Sequence, residues 1–193
     1  MSVAKYAEID GLNMYEVEKK ARTDLEPIRD QLQAKDATFI DTVEQRDTYY
    51  QHPVRDFAET DEALRLRASN NVTKGENTTF LTYKGPVIEG GAKTRREVET
   101  PIDDSAAMKT ILEQLNFEAV ATVSKCRERW RLDTATVCLD TVADLGSYVE
   151  IEVIVERDDV KTGAETANEL LARLGIEEES MTTKSYLELI LLK

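Results

Sequence analysis

Charged residues recur at every second position in several short segments, and this alternation constrains the fold of the chain more than any other feature. Glu16, Glu18 and Lys20 form the first such series. Alternate residues of a β-strand point to the same face of a sheet. The same spacing groups Arg65 with Arg67, Thr82 with Lys84, Lys93 with Arg95, Glu97 and Glu99, Lys125 with Arg127, Arg129 and Arg131, Cys138 with Asp140, and Glu150 with Glu152. The opposite faces are apolar, as at Leu64 and Leu66, so five or six strands are predicted to carry one charged and one apolar face.

The pattern predicts eight strands, near residues 14–22, 38–50, 62–69, 77–84, 92–100, 118–131, 135–142 and 147–156. Helices are predicted at 24–34, at 103–116, at 161–174 and in the last dozen residues. This order favours an α+β domain with an antiparallel sheet, and eight strands can close into a barrel. No repeat or linker divides the chain. Residues 14–193 are therefore predicted to form a single domain, and residues 1–13 an N-terminal extension of unknown role.

The sign of the charges separates two interpretations of the charged faces. The polar side of an amphipathic sheet commonly meets water, and alternation alone does not tell the inside of a sheet from its outside. However, acids dominate the first strand and the strand near residue 150, whereas the strands between them are rich in Arg and Lys. A solvated face has no reason for such segregation. Carboxylates bind Mg²⁺ or Mn²⁺ and basic groups bind phosphate oxygens, so the segregation indicates a polyphosphate site.

The overall composition limits the partners of the chain. Its 193 residues include 38 acidic and 25 basic ones, a formal net charge of -13, which disfavours a nucleic-acid partner. No apolar stretch approaches the roughly 20 residues that cross a bilayer, and no signal peptide is evident. We therefore expect a cytoplasmic protein without a membrane partner. The acidic excess would also suit a salt-rich cytoplasm, a hypothesis that unfolding at low and molar KCl would test.

Cys126 and Cys138 fall on neighbouring predicted strands but on opposite faces, so no disulfide is expected between them. Arg129 and Arg131 share the parity of Arg127 but lie near a turn. Each could therefore lie at the mouth of the predicted barrel or on the surface. The sequence does not give the oligomeric state. A homodimer is one option, on the general frequency of such dimers alone.

Several segments resemble one known family. Residues 16–20 (EVEKK) resemble the ExExK signature of the CYTH superfamily, the triphosphate tunnel metalloenzymes that include class IV adenylyl cyclases and thiamine triphosphatases. The segments that resemble the class IV cyclase branch are 47–53 (DTYYQHP), 56–67 (DFAETDEALRLR), 81–86 (LTYKGP), 93–97 (KTRRE), 139–142 (LDTV), 145–152 (LGSYVEIE) and 185–189 (SYLEL). The resemblance runs in order from Met14 to the C-terminus. It implies an eight-stranded antiparallel β-barrel, the triphosphate tunnel, with helices packed outside.

The resemblance also implies the roles of individual residues. The implied ligands of Mg²⁺ or Mn²⁺ are Glu16, Glu18, Glu150 and Glu152. The implied triphosphate-binding residues are Lys20, Arg65, Arg67, Lys84, Arg95, Lys125 and Arg127. The implied catalytic residues are Lys20, Arg67, Lys125 and Asp140, and the interior is completed by Glu97 and Glu99.

Three functions agree with these residues. The first is a cyclase that converts ATP to cyclic AMP and pyrophosphate. The second is a hydrolase of thiamine triphosphate, inorganic triphosphate or a nucleoside triphosphate, and the third is a non-catalytic triphosphate-binding module. In each case the partner is a small-molecule triphosphate, such as ATP or thiamine triphosphate. The sole histidine, His52, precedes Pro53 and is expected to shape a loop, which leaves a carboxylate or a metal-held hydroxide as the general base.

Overall fold

The computed structural model describes residues 14–88, 94–156 and 159–193. The predicted extension, residues 1–13, lies outside the described residues. The strands are β1 (Met14–Arg22), β2 (Thr38–Gln51), β3 (Ala63–Asn71), β4 (Glu76–Ile88), β5 (Thr94–Pro101), β6 (Glu118–Leu132), β7 (Ala135–Val142), β8 (Gly146–Glu156) and β9 (Met181–Thr182). The helices are α1 (Leu25–Ala34), α2 (Ser105–Gln114), α3 (Val160–Arg173) and α4 (Tyr186–Leu191), with one 3₁₀ turn at Glu178–Ser180.

The strands form one antiparallel sheet in the order β5-β4-β3-β2-β6-β7-β8-β1-β9. The eight strands predicted from the sequence are all present. The ninth pairs with Lys20 and Ala21 on the free edge of β1, and its two residues are too few to show an alternation. The predicted fold class, an antiparallel barrel-like sheet with helices outside, is confirmed. In the described residues no ladder joins β5 to β1 to close the barrel, although their Cα atoms approach within 8 Å. Strand β9 occupies part of the edge that such a ladder would need.

The outer face of β7, β8 and β1 carries the main apolar core. Leu139, Val149 and Ile151 are at most 1% exposed and pack against α1 and α3. Burying large apolar side chains in this way is the dominant favourable contribution to folding. Helix α3 lies close to the sheet, because a Cβ added at Gly163 would stand 3.0 Å from a Val155 methyl group. The apolar faces thus point outward to the helices and leave the charged faces on the inside.

A second apolar cluster lies under α2. Leu112 packs with Leu64 and Leu66, so the apolar face predicted for β3 is buried as expected. The Asp104 side chain caps the start of α2, because it accepts a hydrogen bond from the backbone N of Ala107 at 2.9 Å. None of the described helices combines the length and apolar character that crossing a membrane requires.

The outer core gives a prediction for stability. Ile151 is fully buried, so the substitution Ile151→Ala is expected to lower the free energy of unfolding by about 2–5 kcal/mol. On the same strand Ile154 is 46% exposed, and Ile154→Ala should cost less than about 1 kcal/mol. Urea unfolding of the two variants measures both values. Equal losses would show that the apolar core is not on the outer face of β8.

Candidate functional site

The inner face of the sheet surrounds a cavity of about 300 Å³. Its lining includes the predicted residues Glu16, Glu18, Lys20, Arg65, Arg67, Lys84, Glu97, Glu99, Lys125, Arg127, Glu150 and Glu152. Asp140 lies behind this lining and is completely buried. The side chain of Arg95 lies outside the described residues, although its backbone pairs with Val87. The charged faces therefore point inward, and this excludes an ordinary wet face on these strands.

Arg127 joins three neighbouring strands through its guanidinium group. Its Nε and Nη2 atoms donate to the two Asp140 oxygens at 2.7 and 2.6 Å. Its Nη1 donates to Glu152 Oε1 at 2.8 Å, and Nη2 also donates to Glu150. The sheet register places Arg127 directly opposite Asp140 on β7, which fixes this geometry.

Lys20 lies between two carboxylates. Its Nζ is 2.8 Å from Glu150 Oε1 and 3.0 Å from Glu18 Oε1. Burial alone would lower the pKa of Lys20, but these two carboxylates outweigh it and raise that pKa. Burial would likewise raise the pKa of Glu150, yet the charges of Lys20 and Arg127 hold it well below its ordinary value. Both groups are therefore charged.

Asp47 anchors the two arginines of β3, although it was not among the predicted site residues. Arg67 Nε and Nη2 donate to its oxygens at 2.7 and 2.6 Å, and Arg65 Nη1 lies 3.6 Å from Asp47 Oδ2. Arg65 Nη2 also donates to Thr82 Oγ1 at 3.2 Å. Asp47 lies within one of the resembling segments, but its alternate neighbours on β2 are the uncharged Gln45 and Tyr49. Alternation of charge therefore gave no signal for it.

The basic groups around Lys125 are not fully matched by carboxylates. Its Nζ lies 3.3 Å from Asp140 Oδ2, an oxygen that Arg127 also occupies. Burial and the repulsion of Arg127 lower the pKa of Lys125, and the attraction of Asp140 does not make up for them. An anion in the cavity would stabilise the charged form of Lys125. A polyphosphate has the chemistry to do this.

Negative charge is in excess near Glu16. Burial raises the pKa of the Glu16 carboxyl well above its ordinary value. The carboxylates of Glu152 and Glu97 raise this pKa further, and the positive charge of Lys84 opposes them only in part. A cation at this place would remove the repulsion.

Glu18 and Glu152 add to this acidic region, because they are register partners on β1 and β8. Like charges directly opposite each other destabilise a sheet. Hard oxygen ligands of this kind fit Mg²⁺ or Mn²⁺. No group of three or more acidic, Cys or His side chains among the described residues is arranged to hold a metal ion, since Glu150 and Glu152 turn to Arg127. The carboxylates fit a metal by their chemistry, and they would have to change partners to bind it.

Tyr186, the first residue of α4, is the second site residue that the sequence did not predict. Its hydroxyl donates to Asp140 Oδ2 at 2.8 Å, and its ring centroid lies 4.3 Å from Lys20 Nζ and 5.0 Å from Lys125 Nζ. Burial and the negative charges of Glu150 and Asp140 raise the pKa of Tyr186, so the phenol remains a donor. A helix of six residues is too short for a helical hydrophobic pattern to show in the sequence, and only the tertiary fold brings Tyr186 to the inner face.

The structure also tests the predictions for His52, the two cysteines and Arg129. His52 Nδ1 accepts a hydrogen bond from the backbone N of Val54 at 3.2 Å, which confirms its loop role. Cys126 is exposed, Cys138 is buried and both are free, as expected. Arg129 Nε and Nη2 donate to the buried Asp41 at 2.7 and 2.6 Å, so Arg129 does not have a surface role.

The Asp47 pair gives a prediction for the pH dependence of stability. Burial would raise the pKa of Asp47, but Arg67 outweighs it and lowers that pKa well below its unfolded value. The stabilisation is therefore fully present above the unfolded pKa of about 4, and it is lost as the pH falls from there towards the lower pKa of the folded state. Asp47→Asn should lower the free energy of unfolding by about 3 kcal/mol or more at pH 6. The difference in the free energy of unfolding between Asp47→Asn and wild type should narrow towards pH 3. Urea unfolding at both pH values measures it.

The control for this prediction is Asp133→Asn, because Asp133 is 57% exposed and pairs with Arg173 at the surface. Its difference from wild type should be small at both pH values. A gap for Asp47→Asn that is the same at pH 6 and pH 3 would contradict the assignment of Asp47 as a buried, charged partner.

Comparison with known proteins agrees with this geometry. The family model described as the CYTH domain matches residues 14–186. A Methanocaldococcus jannaschii protein named "Putative adenylate cyclase" is 36% identical over 181 residues, which cover 91% of this chain and 98% of that protein.

Two solved structures show the fold. A Pyrococcus horikoshii protein is 39% identical, with a TM-score of 0.84 over 92% of this chain and 99% of its own. A Hippeastrum protein is 16% identical, with a TM-score of 0.61 over 90% of this chain and 93% of its own. It is described as a "putative adenylyl cyclase" that reveals a dominant triphosphatase activity, and its likeness to this chain concerns the fold alone. The extent of the family match and the identity of the archaeal relatives lead to one conclusion: the chain belongs to the CYTH family.

Proposed function

We propose that this protein is a metal-dependent enzyme that acts on a triphosphate, and that it converts ATP to cyclic AMP and pyrophosphate. The observation that carries the proposal is the division of the cavity into two charged regions. Positive charge is in excess at Lys125, next to Arg127, and negative charge is in excess at Glu16, near Glu152. A triphosphate with a divalent cation supplies both missing charges.

The proposed metal ligands are Glu16, Glu18, Glu150 and Glu152. When bound there, Mg²⁺ or Mn²⁺ would neutralise charge on the phosphates and favour the departure of pyrophosphate. The proposal that these residues bind a metal rests on the carboxylates that face each other across β1 and β8 and on the electrostatic repulsion at Glu16.

The proposed phosphate ligands are Lys20, Arg65, Arg67, Lys84, Lys125 and Arg127, and Arg95 stays a prediction from the sequence. In the structure these basic groups are held mainly by carboxylates, as Arg67 is by Asp47. Binding would therefore exchange one buried partner for another. Such an exchange avoids leaving a buried charge unpaired, which is the costly alternative. Asp140 stays behind Arg127 and Lys125 and orients both towards the cavity.

The cyclase proposal is supported by the 36% identical relative, which bears a cyclase name. Hydrolysis is the second candidate, because the Hippeastrum protein carries a triphosphatase activity on the same fold. The two reactions differ in the attacking group, a ribose hydroxyl or a water, and use the same charged cavity. A non-catalytic module is less favoured because both acidic strands, β1 and β8, keep their carboxylates.

One experiment separates the three functions. The full-length protein is incubated with ATP, thiamine triphosphate or inorganic tripolyphosphate, with Mg²⁺ or Mn²⁺, at low and high KCl. Phosphorus NMR and chromatography then identify the products. Cyclic AMP with pyrophosphate is the expected result. Orthophosphate without cyclic AMP would contradict cyclisation in favour of hydrolysis, and binding without turnover would contradict both enzymatic functions.

The proposed metal site gives a mutational prediction. Glu18→Gln should lower metal-dependent turnover by about 100-fold or more, because the amide keeps the shape but loses the charge that binds the cation. The matched control is Glu44→Gln, since Glu44 is exposed and its carboxylate accepts from Asn70 at 3.2 Å. Turnover of the control should stay near that of wild type. Full activity of Glu18→Gln would exclude Glu18 from the metal site.

A further inference from the structure

Tyr186 contacts two lysines that come from distant strands of the sheet. Lys20 lies on β1 and Lys125 on β6, with β7 and β8 between them. The ring centroid of Tyr186 lies 4.3 Å from Lys20 Nζ and 5.0 Å from Lys125 Nζ. An ammonium group within about 6 Å of an aromatic centroid is attracted by the negative face of the ring. One side chain thus attracts two cations that repel each other.

The hydroxyl of Tyr186 ties the same side chain to the carboxylate behind the lysine. It donates to Asp140 Oδ2 at 2.8 Å, the oxygen that also accepts from Arg127 Nη2 at 2.6 Å and lies 3.3 Å from Lys125 Nζ. Ring and hydroxyl therefore both act on groups that are proposed to bind or orient the phosphates.

Packing of α4 fixes this position without a ligand. Tyr186 is 6% exposed, and its ring meets that of Tyr148 edge to face at 5.2 Å. Leu189 packs against the same cluster. Ser185 begins the helix with a capping box, in which its side chain accepts from the backbone N of Glu188. The ring is therefore held rigidly against both lysines.

We propose that Tyr186 is a positioning residue, whose ring holds the ammonium groups of Lys20 and Lys125 at the spacing at which both meet one triphosphate. This inference rests on the proposed function. Without the ring, Lys20 would keep its attraction to Glu18 and Glu150, but no group would attract its ammonium group and that of Lys125 to one aromatic face. Tyr186 acts through the lysines and takes no part in the reaction.

The test measures binding of inorganic tripolyphosphate to the full-length protein by calorimetry in Mg²⁺. Tyr186→Leu removes the ring and should raise Kd roughly tenfold. Tyr186→Phe keeps the ring and should stay within about threefold of wild type. Leu189→Ala loosens the packing of α4 without touching either lysine, and should also stay within about threefold. For a substrate that is turned over, Tyr186→Leu should raise KM, and Tyr186→Phe should restore it.

An unchanged Kd in Tyr186→Leu, or an equal rise in Leu189→Ala, would overturn the positioning role. If Tyr186→Leu does not fold, NMR of the lysine ammonium groups in the wild-type protein takes its place, with signals assigned by Lys20→Arg and Lys125→Arg. Both signals should be shifted upfield by the ring current in the absence of triphosphate. Signals without that shift would overturn the inference.

The NMR measurement also separates this inference from the proposed function. Ring-shifted lysine signals in a protein that binds no tripolyphosphate would overturn the proposed function, and the positioning role with it. Tight binding by wild type that persists in Tyr186→Leu would overturn the positioning role alone.

Discussion

The pair of Arg127 and Asp140 is the interaction on which the inner face of the sheet depends. Asp140 is completely buried and receives two guanidinium hydrogen bonds, at 2.7 and 2.6 Å. A buried ion pair stabilises a protein only when its remaining hydrogen-bonding positions are also filled. Here Glu150 and Glu152 accept from Arg127, and Tyr186 donates to Asp140. The pair therefore links β6, β7, β8 and α4 around one side of the cavity.

This arrangement explains why the apolar core lies outside the sheet. Charges that pair across the inner face leave the alternate, apolar residues pointing outward, where α1, α2 and α3 cover them. The sheet curls around groups that attract one another, while its hydrophobic stabilisation comes from the helices. The same physical arrangement leaves a charged space of about 300 Å³, within the usual range of small-molecule sites.

Alternation and the segregation of charge by sign predicted that residues in charged series, such as Glu18 on β1 and Arg127 on β6, share the inner face, and the family resemblance implied their roles. Alternation of charge gave no prediction for a residue with uncharged alternate neighbours or for one outside the long strands. The alternate neighbours of Asp47 on β2, Gln45 and Tyr49, are uncharged, and Tyr186 reaches the cavity from a short helix. The order of strands and the register, which bring Glu18 opposite Glu152, depend on pairing between distant segments. Strand β9, which pairs with part of the free edge of β1, has only two residues and shows no alternation in the sequence.

The central claim is that the inner charges exchange their partners for a triphosphate and a divalent cation. A crystal structure of the protein grown with tripolyphosphate and Mn²⁺, with anomalous data at the manganese edge, tests this most directly. The account predicts a manganese peak among the carboxylates of Glu16, Glu18, Glu150 and Glu152, with the phosphate chain along Lys20, Lys125 and Arg127. Polyphosphate bound outside the sheet, or an inner face whose ion pairs are unchanged in the presence of both ligands, would contradict it.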